Sequence, residues 1–132
     1  MERVKERLNV ARRALATLSQ ALKEPNTPMN RDASIQRFEY SYEAVWKAAQ
    51  AYLSAVETVE AGSPTSVARA CFRAGLLTEE QARAVLGMAR DRNLTVHTYN
   101  EELADQIYSR LPGHAALMDA WLAAMERATA GT

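Results

Sequence analysis

Apolar side chains recur every three or four residues through the first 23 residues of the chain. The positions at this spacing are Val4, Leu8, Ala11, Leu15, Leu18 and Leu22. This period places them on one face of a helix of about six turns, with charged side chains on the other faces. Alanine, the strongest helix former, fills 25 of the 132 positions, and Gly and Pro occur in a few clusters rather than at the short, regular spacing of strands. The sequence therefore predicts an all-α protein.

A second long helix is expected at residues 31–60, after the turn that Pro25 and Pro28 impose. Its main core face carries Ile35, Phe38, Tyr42, Val45, Trp46, Ala49, Leu53 and Val56. The opposite side carries a stripe of small residues, Ala44, Ala48, Ala51 and Ala55. Two packing faces on one helix indicate either a central place in a single bundle or a contact with a second subunit, and the pattern favours neither.

Four shorter helices are expected in the second half of the chain. Ser63-Pro64 and the capping-box spacing that begins at Thr78 predict two helix starts, and the same spacing recurs at Thr98. Pro112-Gly113 is expected to end the helix that follows Thr98, which leaves His114 in solvent at the start of a last helix. The connections are short. These elements predict one domain, residues 1–132, folded as an antiparallel up-and-down helical bundle of four main helices plus short extra helices.

Charge and cysteine content exclude several classes of protein. Sixteen basic residues balance sixteen acidic ones, which argues against broad, nonspecific binding to nucleic acid or anionic membrane. No stretch approaches the roughly 20 apolar residues of a membrane span, and the charged amino terminus does not resemble a secretory signal, so a cytoplasmic protein is expected. The single cysteine, Cys71, falls on an apolar helix face and is expected to be packing rather than a nucleophile. We expect no cofactor and no metal site.

The connection at residues 90–100 is where polar side chains suited to chemistry concentrate. On a continuous helix Arg92 and His97 would point about 140° apart, so they converge only if the helix breaks. Asn93 tolerates the left-handed conformation that ends helices and Thr98 suits a cap, which favours a break between residues 93 and 97. His97 would then stand before a helix N-terminus, whose free amides form an anion site that Arg92 can join. By spacing alone, an Arg and a His in such a loop are more often solvated or structural than catalytic.

Four segments carry a resemblance to a known family. They lie at residues 36–47, 63–64, 74–77 and 91–99, and the last reads Asp-Arg-Asn-Leu-Thr-Val-His-Thr-Tyr. With this string inside an all-helical chain, residues 1–125 closely resemble the nucleotidyltransferase substrate-binding protein family of the HEPN superfamily. The resemblance implies a homodimer encoded beside a minimal nucleotidyltransferase, with the pair acting as toxin and antitoxin. It implies RNA or a nucleotide as the ligand.

The resemblance also assigns roles within the 91–99 string. Arg92 and His97, four residues apart, match the catalytic Arg and His of HEPN ribonucleases, whose two subunits meet in one cleft. Asn93 matches the usual polar neighbour of the Arg, and Tyr99 matches the tyrosine that the partner enzyme modifies with AMP. Asn93, Thr98 and Tyr99 are the expected nucleotide- or phosphate-binding residues at this helix start.

Three functions are compatible with these observations. The first is a metal-independent endoribonuclease toxin controlled by AMP addition to Tyr99. The second is a noncatalytic subunit that binds the nucleotidyltransferase or its nucleotide substrate, which the neutral net charge slightly favours. The third is a helical dimer with a purely structural role. Arg37 and Tyr40 are weaker candidates near a dimer face, or are simply solvated.

Overall fold

Five α-helices make up the protein in a computed structural model that describes residues 1–131. They are α1 (Glu2–Leu22), α2 (Pro28–Tyr52), α3 (Pro64–Arg73), α4 (Glu79–Leu94) and α5 (Glu101–Thr129). A π-helical turn, Leu53–Glu57, follows α2, and a 3₁₀ turn, Thr95–His97, follows α4. The helices pack antiparallel, so the all-α prediction is confirmed. Within residues 1–131, no helix has the length and apolar content to cross a bilayer.

The three long helices α1, α2 and α5 form the main body of the core. The apolar face of α1 is buried as its spacing predicts, except that Ala21 is buried in place of the half-buried Leu22. Phe38 of α2 and Trp121 of α5 are among the largest completely buried side chains. Burying a side chain of this size contributes about 1.5–3 kcal/mol to folding, so this seam orders the two helices that flank the candidate site.

The second helix ends earlier than expected, at Tyr52 rather than near residue 60. The chain continues as the π-helical turn and ends in Thr58, whose φ of 56° is left-handed. The Val59 amide donates to the Leu53 carbonyl at 3.0 Å, which satisfies one of the carbonyls left free at the end of the helix. Val56 therefore lies on the surface and not on the core face assigned to it.

The alanine stripe of α2 does not form a single face. Ala48 is completely buried inside the bundle, whereas Ala44 and Ala51 are half-buried and Ala55 is exposed. One part of the stripe therefore packs within this chain, and the other borders the surface between α1 and α2.

The starts of α3 and α4 follow the predicted caps. Ser63 and Thr78 each accept a hydrogen bond from a backbone amide three residues on, at 3.2 and 3.0 Å. In both helices the side chain at that third position, Ser66 or Gln81, accepts a bond from the cap's amide in return. Gly75, with φ of 80°, ends the first of these helices as expected.

The predicted end of a helix at Pro112 is wrong, because α5 runs without interruption through it. Proline removes one helical hydrogen bond and crowds the preceding turn, but it does not prevent a helix that is held on both sides. Leu111 and Met118 flank the proline and are both completely buried, while Pro112 itself is exposed. Tertiary packing therefore overrides the local preference, and there is one helix here instead of two.

Candidate functional site

The chain breaks between α4 and α5 where the sequence predicts a break. We call residues 95–100 the α4–α5 turn. Thr98 does not cap the next helix as expected; its hydroxyl donates to the Thr95 carbonyl at 2.9 Å. Asn100 is the cap, and its side-chain oxygen accepts from the Leu103 amide at 3.2 Å. The reason is conformational, because Asn100 has the extended backbone of an N-cap, with ψ of 109°, whereas ψ of Thr98 is 3°.

Arg92 lies on the last turn of α4 with its guanidinium directed toward α2. Its Nη1 donates to the Thr95 hydroxyl at 3.3 Å, and carboxylate oxygens of Glu39 and Glu43 lie 4.0 Å away. Those carboxylates are too distant to accept a hydrogen bond. The buried Nε has no hydrogen-bond partner within residues 1–131. Arg92 is therefore oriented by its neighbours and still has a donor available for an anionic oxygen.

His97 and Tyr99 stand together on the outer side of the α4–α5 turn. Their ring centroids are 6.0 Å apart and the rings are nearly perpendicular, at 81°. His97 is exposed and the Tyr99 side chain is 83% exposed, so both are open to a ligand or a second protein. In the part of the chain that the structure describes, no hydrogen bond or ring contact joins Arg92 to His97.

The other two predicted site residues differ in availability. Asn93 is exposed on the last turn of α4, beside Arg92. Thr98 is half-buried with its hydroxyl hydrogen already donated within the turn, so only its oxygen lone pairs are available to a ligand.

A cluster that sequence reasoning missed lies directly beside Arg92. Asp91 is 5% exposed, and both its oxygens accept bonds from Arg110 of α5, at 2.7 and 2.8 Å. His114 Nε2 lies 2.7 Å from the same carboxylate, and its ring stacks on Phe38 with centroids 5.3 Å apart. Burial raises the pKa of Asp91, but the hydrogen bonds from Arg110 and His114 outweigh it, so the pKa is lowered.

The cluster was hidden by the expected helix break at Pro112. His114 is not in solvent at a helix start, because its side chain is only 13% exposed and forms part of this buried network. With α5 continuous, Arg110 and His114 are four residues apart on one face, where both reach a single carboxylate. That spacing was visible in the sequence once a proline inside the helix was allowed.

The remaining candidates lie away from the α4–α5 turn. The Tyr40 and Thr17 hydroxyls are 2.6 Å apart, and Arg37 Nη1 donates to the Thr17 carbonyl at 3.0 Å. Both side chains therefore tie α2 to α1. Cys71 is buried, and burial raises the pKa of its thiol to about 11 against the weaker opposite effect of a Trp121 contact, which leaves it protonated and unreactive.

Comparison with protein-family models gives one match, described as nucleotidyltransferase substrate binding protein like, over residues 6–127. The chain belongs to this family. A solved structure of a nucleotidyltransferase substrate-binding protein relative, from Thermus thermophilus, is 52% identical in sequence with a TM-score of 0.86. That match covers 89% of this chain and 99% of the other. No protein of curated function matches the sequence.

Two more distant solved structures share the fold of this nucleotidyltransferase substrate-binding protein. One, from Haemophilus influenzae, is described as the substrate binding domain of a nucleotidyltransferase; it is 21% identical with a TM-score of 0.73, over 90% of this chain and 98% of that one. The other is a tri-AMPylated HEPN toxin in complex with MNT antitoxin, from Shewanella oneidensis. It is 15% identical with a TM-score of 0.76, over 94% of this chain and 96% of that one.

Proposed function

We propose that the protein is a HEPN-type toxin, a metal-independent endoribonuclease that acts as a homodimer. A partner nucleotidyltransferase controls it by adding AMP to Tyr99. The observation that carries the proposal is the arrangement at the α4–α5 turn. Arg92 keeps a buried donor without a partner in the described part of the chain, and His97 and Tyr99, further along, present an imidazole and a phenol to solvent. The fold, shared with a HEPN toxin that complexes an MNT antitoxin, supports the same proposal.

The proposed chemistry needs a base, an acid and a positive charge at one phosphodiester. An imidazole of His97 takes the proton from a ribose 2′-hydroxyl, whose oxygen attacks the adjacent phosphorus. The bond to the 5′-oxygen breaks, and that oxygen takes a proton from the protonated His97 of the second subunit. Arg92 lies where its guanidinium neutralises charge that develops on the phosphorane oxygens. The products are a 2′,3′-cyclic phosphate and a free 5′-hydroxyl.

Two copies of the chain are part of this proposal for a geometric reason. Within one chain Arg92 faces α2 while His97 faces outward, and no contact in residues 1–131 joins them. A second copy placed against the α4–α5 turn supplies another His97 and another Arg92 to the same cleft. The exposed Val96, between the two functional side chains, gives that contact an apolar element.

Cleavage of RNA in EDTA tests the proposal. We expect purified wild-type protein to cut total RNA, and His97→Ala to lose about 100-fold or more of that rate, the usual contribution of a positioned base. Val96→Ala is the matched control, because Val96 is an exposed neighbour of His97 in the same 3₁₀ turn and has no ionisable group. Equal cutting by wild type and His97→Ala would contradict the proposal.

A second function, a noncatalytic subunit that binds the nucleotidyltransferase or its nucleotide, is favoured by the acidic groups around the site. Glu39 and Glu43 flank Arg92, and Glu101 and Glu102 open α5. Carboxylates at this density repel a polyanion more than they repel one nucleotide phosphate. If neither wild type nor His97→Ala cuts RNA and both bind the nucleotidyltransferase, this second function is correct. A purely structural role predicts neither cutting nor nucleotide binding.

A further inference from the structure

The surface between α1 and α2 contains two cavities that share a wall. We call them together the α1–α2 groove. Their volumes are about 490 and 310 Å³, and Arg3 and Arg7 line both. The larger cavity is also lined by Val10 and Ala44, and the smaller one by Lys47. The groove thus combines an apolar floor with three cationic side chains.

The two arginines of the groove are not neutralised by the described part of the chain. Arg3 and Arg7 are one helical turn apart on α1, and neither guanidinium makes an ion pair or hydrogen bond with another side chain in residues 1–131. Arg12, Arg31 and Arg110, by contrast, all have a carboxylate within hydrogen-bond distance. Arg7 is half-buried, so it meets the groove with part of its hydration already removed. Such a pair of guanidiniums is suited to phosphate oxygens.

The groove connects to the α4–α5 turn through one carboxylate. Lys47 Nζ lies 3.8 Å from one oxygen of Glu43, and Arg92 Nε lies 4.0 Å from the other. The groove and the candidate site therefore lie along the same side of α2. A chain of cations runs from Arg3 and Arg7 through Lys47 to Arg92, which is longer than a single phosphate group can occupy.

We propose that Arg3, Arg7 and Lys47 hold the sugar–phosphate backbone of a single RNA strand whose cleaved bond lies at Arg92 and His97. This inference rests on the proposed function and extends it to substrate binding. The cations bind successive phosphates, and Val10 and Ala44 provide apolar contacts for the riboses and bases between them. Binding of this kind tolerates any sequence and requires only local positive charge, so it is compatible with a net charge of zero.

The test measures binding separately from cleavage. The probe is a single-stranded 2′-O-methyl oligonucleotide of mixed sequence, which lacks the hydroxyl nucleophile and stays intact. Removing three phosphate contacts in the variant Arg3→Gln/Arg7→Gln/Lys47→Gln should lower the slope of log affinity against log salt by about 2, at about 0.7 for each contact. Extrapolated from about 1 M salt, that slope change is a loss of about 100-fold in affinity at about 0.1 M.

The control removes the same charge elsewhere. Arg13→Gln/Arg69→Gln/Arg127→Gln takes three exposed arginines from α1, α3 and α5, none of them in the groove, and should keep the wild-type slope. Circular dichroism and sedimentation confirm that each variant is folded and keeps its wild-type association state. Equal losses in both triple variants, no binding by the wild type, or a groove variant that binds RNA normally but changes association state would each overturn the inference. Wild type that binds without cutting RNA keeps the inference and contradicts only the proposed ribonuclease activity.

Discussion

At the scale of single residues, Asp91 is the most constrained side chain near the candidate site. It is the residue before Arg92, and its carboxylate takes bonds from both Arg110 and His114 of α5. A buried carboxylate held this way fixes the last turn of α4 against α5, and with it the backbone from which the Arg92 side chain starts. Asp91 acts through Arg92 and is a positioning residue for it.

We predict that Asp91→Asn lowers the free energy of unfolding by about 2 kcal/mol at pH 7, because it removes the charge-assisted bonds and leaves Arg110 without its partner. The pH dependence has a definite sign. A lowered pKa in the folded state means that the contribution is complete above the ordinary carboxyl value and is lost as pH falls through the folded value. Urea unfolding at pH 7 and at pH 3 checks this, since the difference between wild type and variant should shrink below pH about 4.

The control for this measurement is Asp119→Asn. Asp119 pairs with Arg12, but its side chain is 62% exposed, and exposed pairs contribute at most about 1 kcal/mol. A loss in Asp119→Asn as large as in Asp91→Asn, or a loss that persists unchanged at low pH, would contradict the assignment.

At the scale of elements, α5 carries a cost that the rest of the molecule supports. Pro112 lies inside this helix and is exposed, so its ring contributes no core packing. We predict that Pro112→Ala raises the free energy of unfolding by about 2 kcal/mol, from about 3 for an interior proline less about 1 for the freer unfolded chain. The midpoint of urea denaturation measures the change.

Gly113→Ala is the companion variant for this prediction. A Cβ at Gly113 meets nothing within 4 Å, so alanine should stabilise the helix by about 1 kcal/mol through propensity alone. Destabilisation by Pro112→Ala alongside a stable Gly113→Ala would mean that the proline's bend is required for packing Leu111 and Met118.

Elements defined by local rules could be predicted from the sequence, and elements decided by packing could not. The spacing on α1 and the caps at Ser63 and Thr78 depend on neighbours within four residues, and all three predictions are confirmed. The continuity of α5 depends on buried side chains far along the chain, which no local pattern reports. The same limit applies to the candidate site: the break before His97 was predictable, but the Asp91 cluster needed a continuous α5.

At the scale of the whole molecule, balanced charge hides an uneven distribution. The α1–α2 groove holds arginines without carboxylate partners in residues 1–131, whereas acidic residues surround Arg92 and open α5. An RNA strand on this surface is therefore held firmly in the groove and only weakly at the α4–α5 turn. In that arrangement, one additional negative charge at the turn is enough to decide if the substrate enters.

AMP addition to Tyr99 would supply that charge, and it is the last prediction. We expect incubation with a partner nucleotidyltransferase and ATP to raise the intact mass in steps of one AMP and to slow RNA cleavage by at least about tenfold. The reason is that a like charge about 8 Å from the bound phosphate repels it by about 2 kcal/mol at an effective dielectric constant of about 20. Tyr99→Phe should gain no mass and keep cutting, while Tyr40→Phe, whose hydroxyl bonds Thr17 on α1, should be modified and inhibited like the wild type. Mass gained by Tyr99→Phe, or full cleavage by the modified wild type, would show that control of this surface lies elsewhere on the chain.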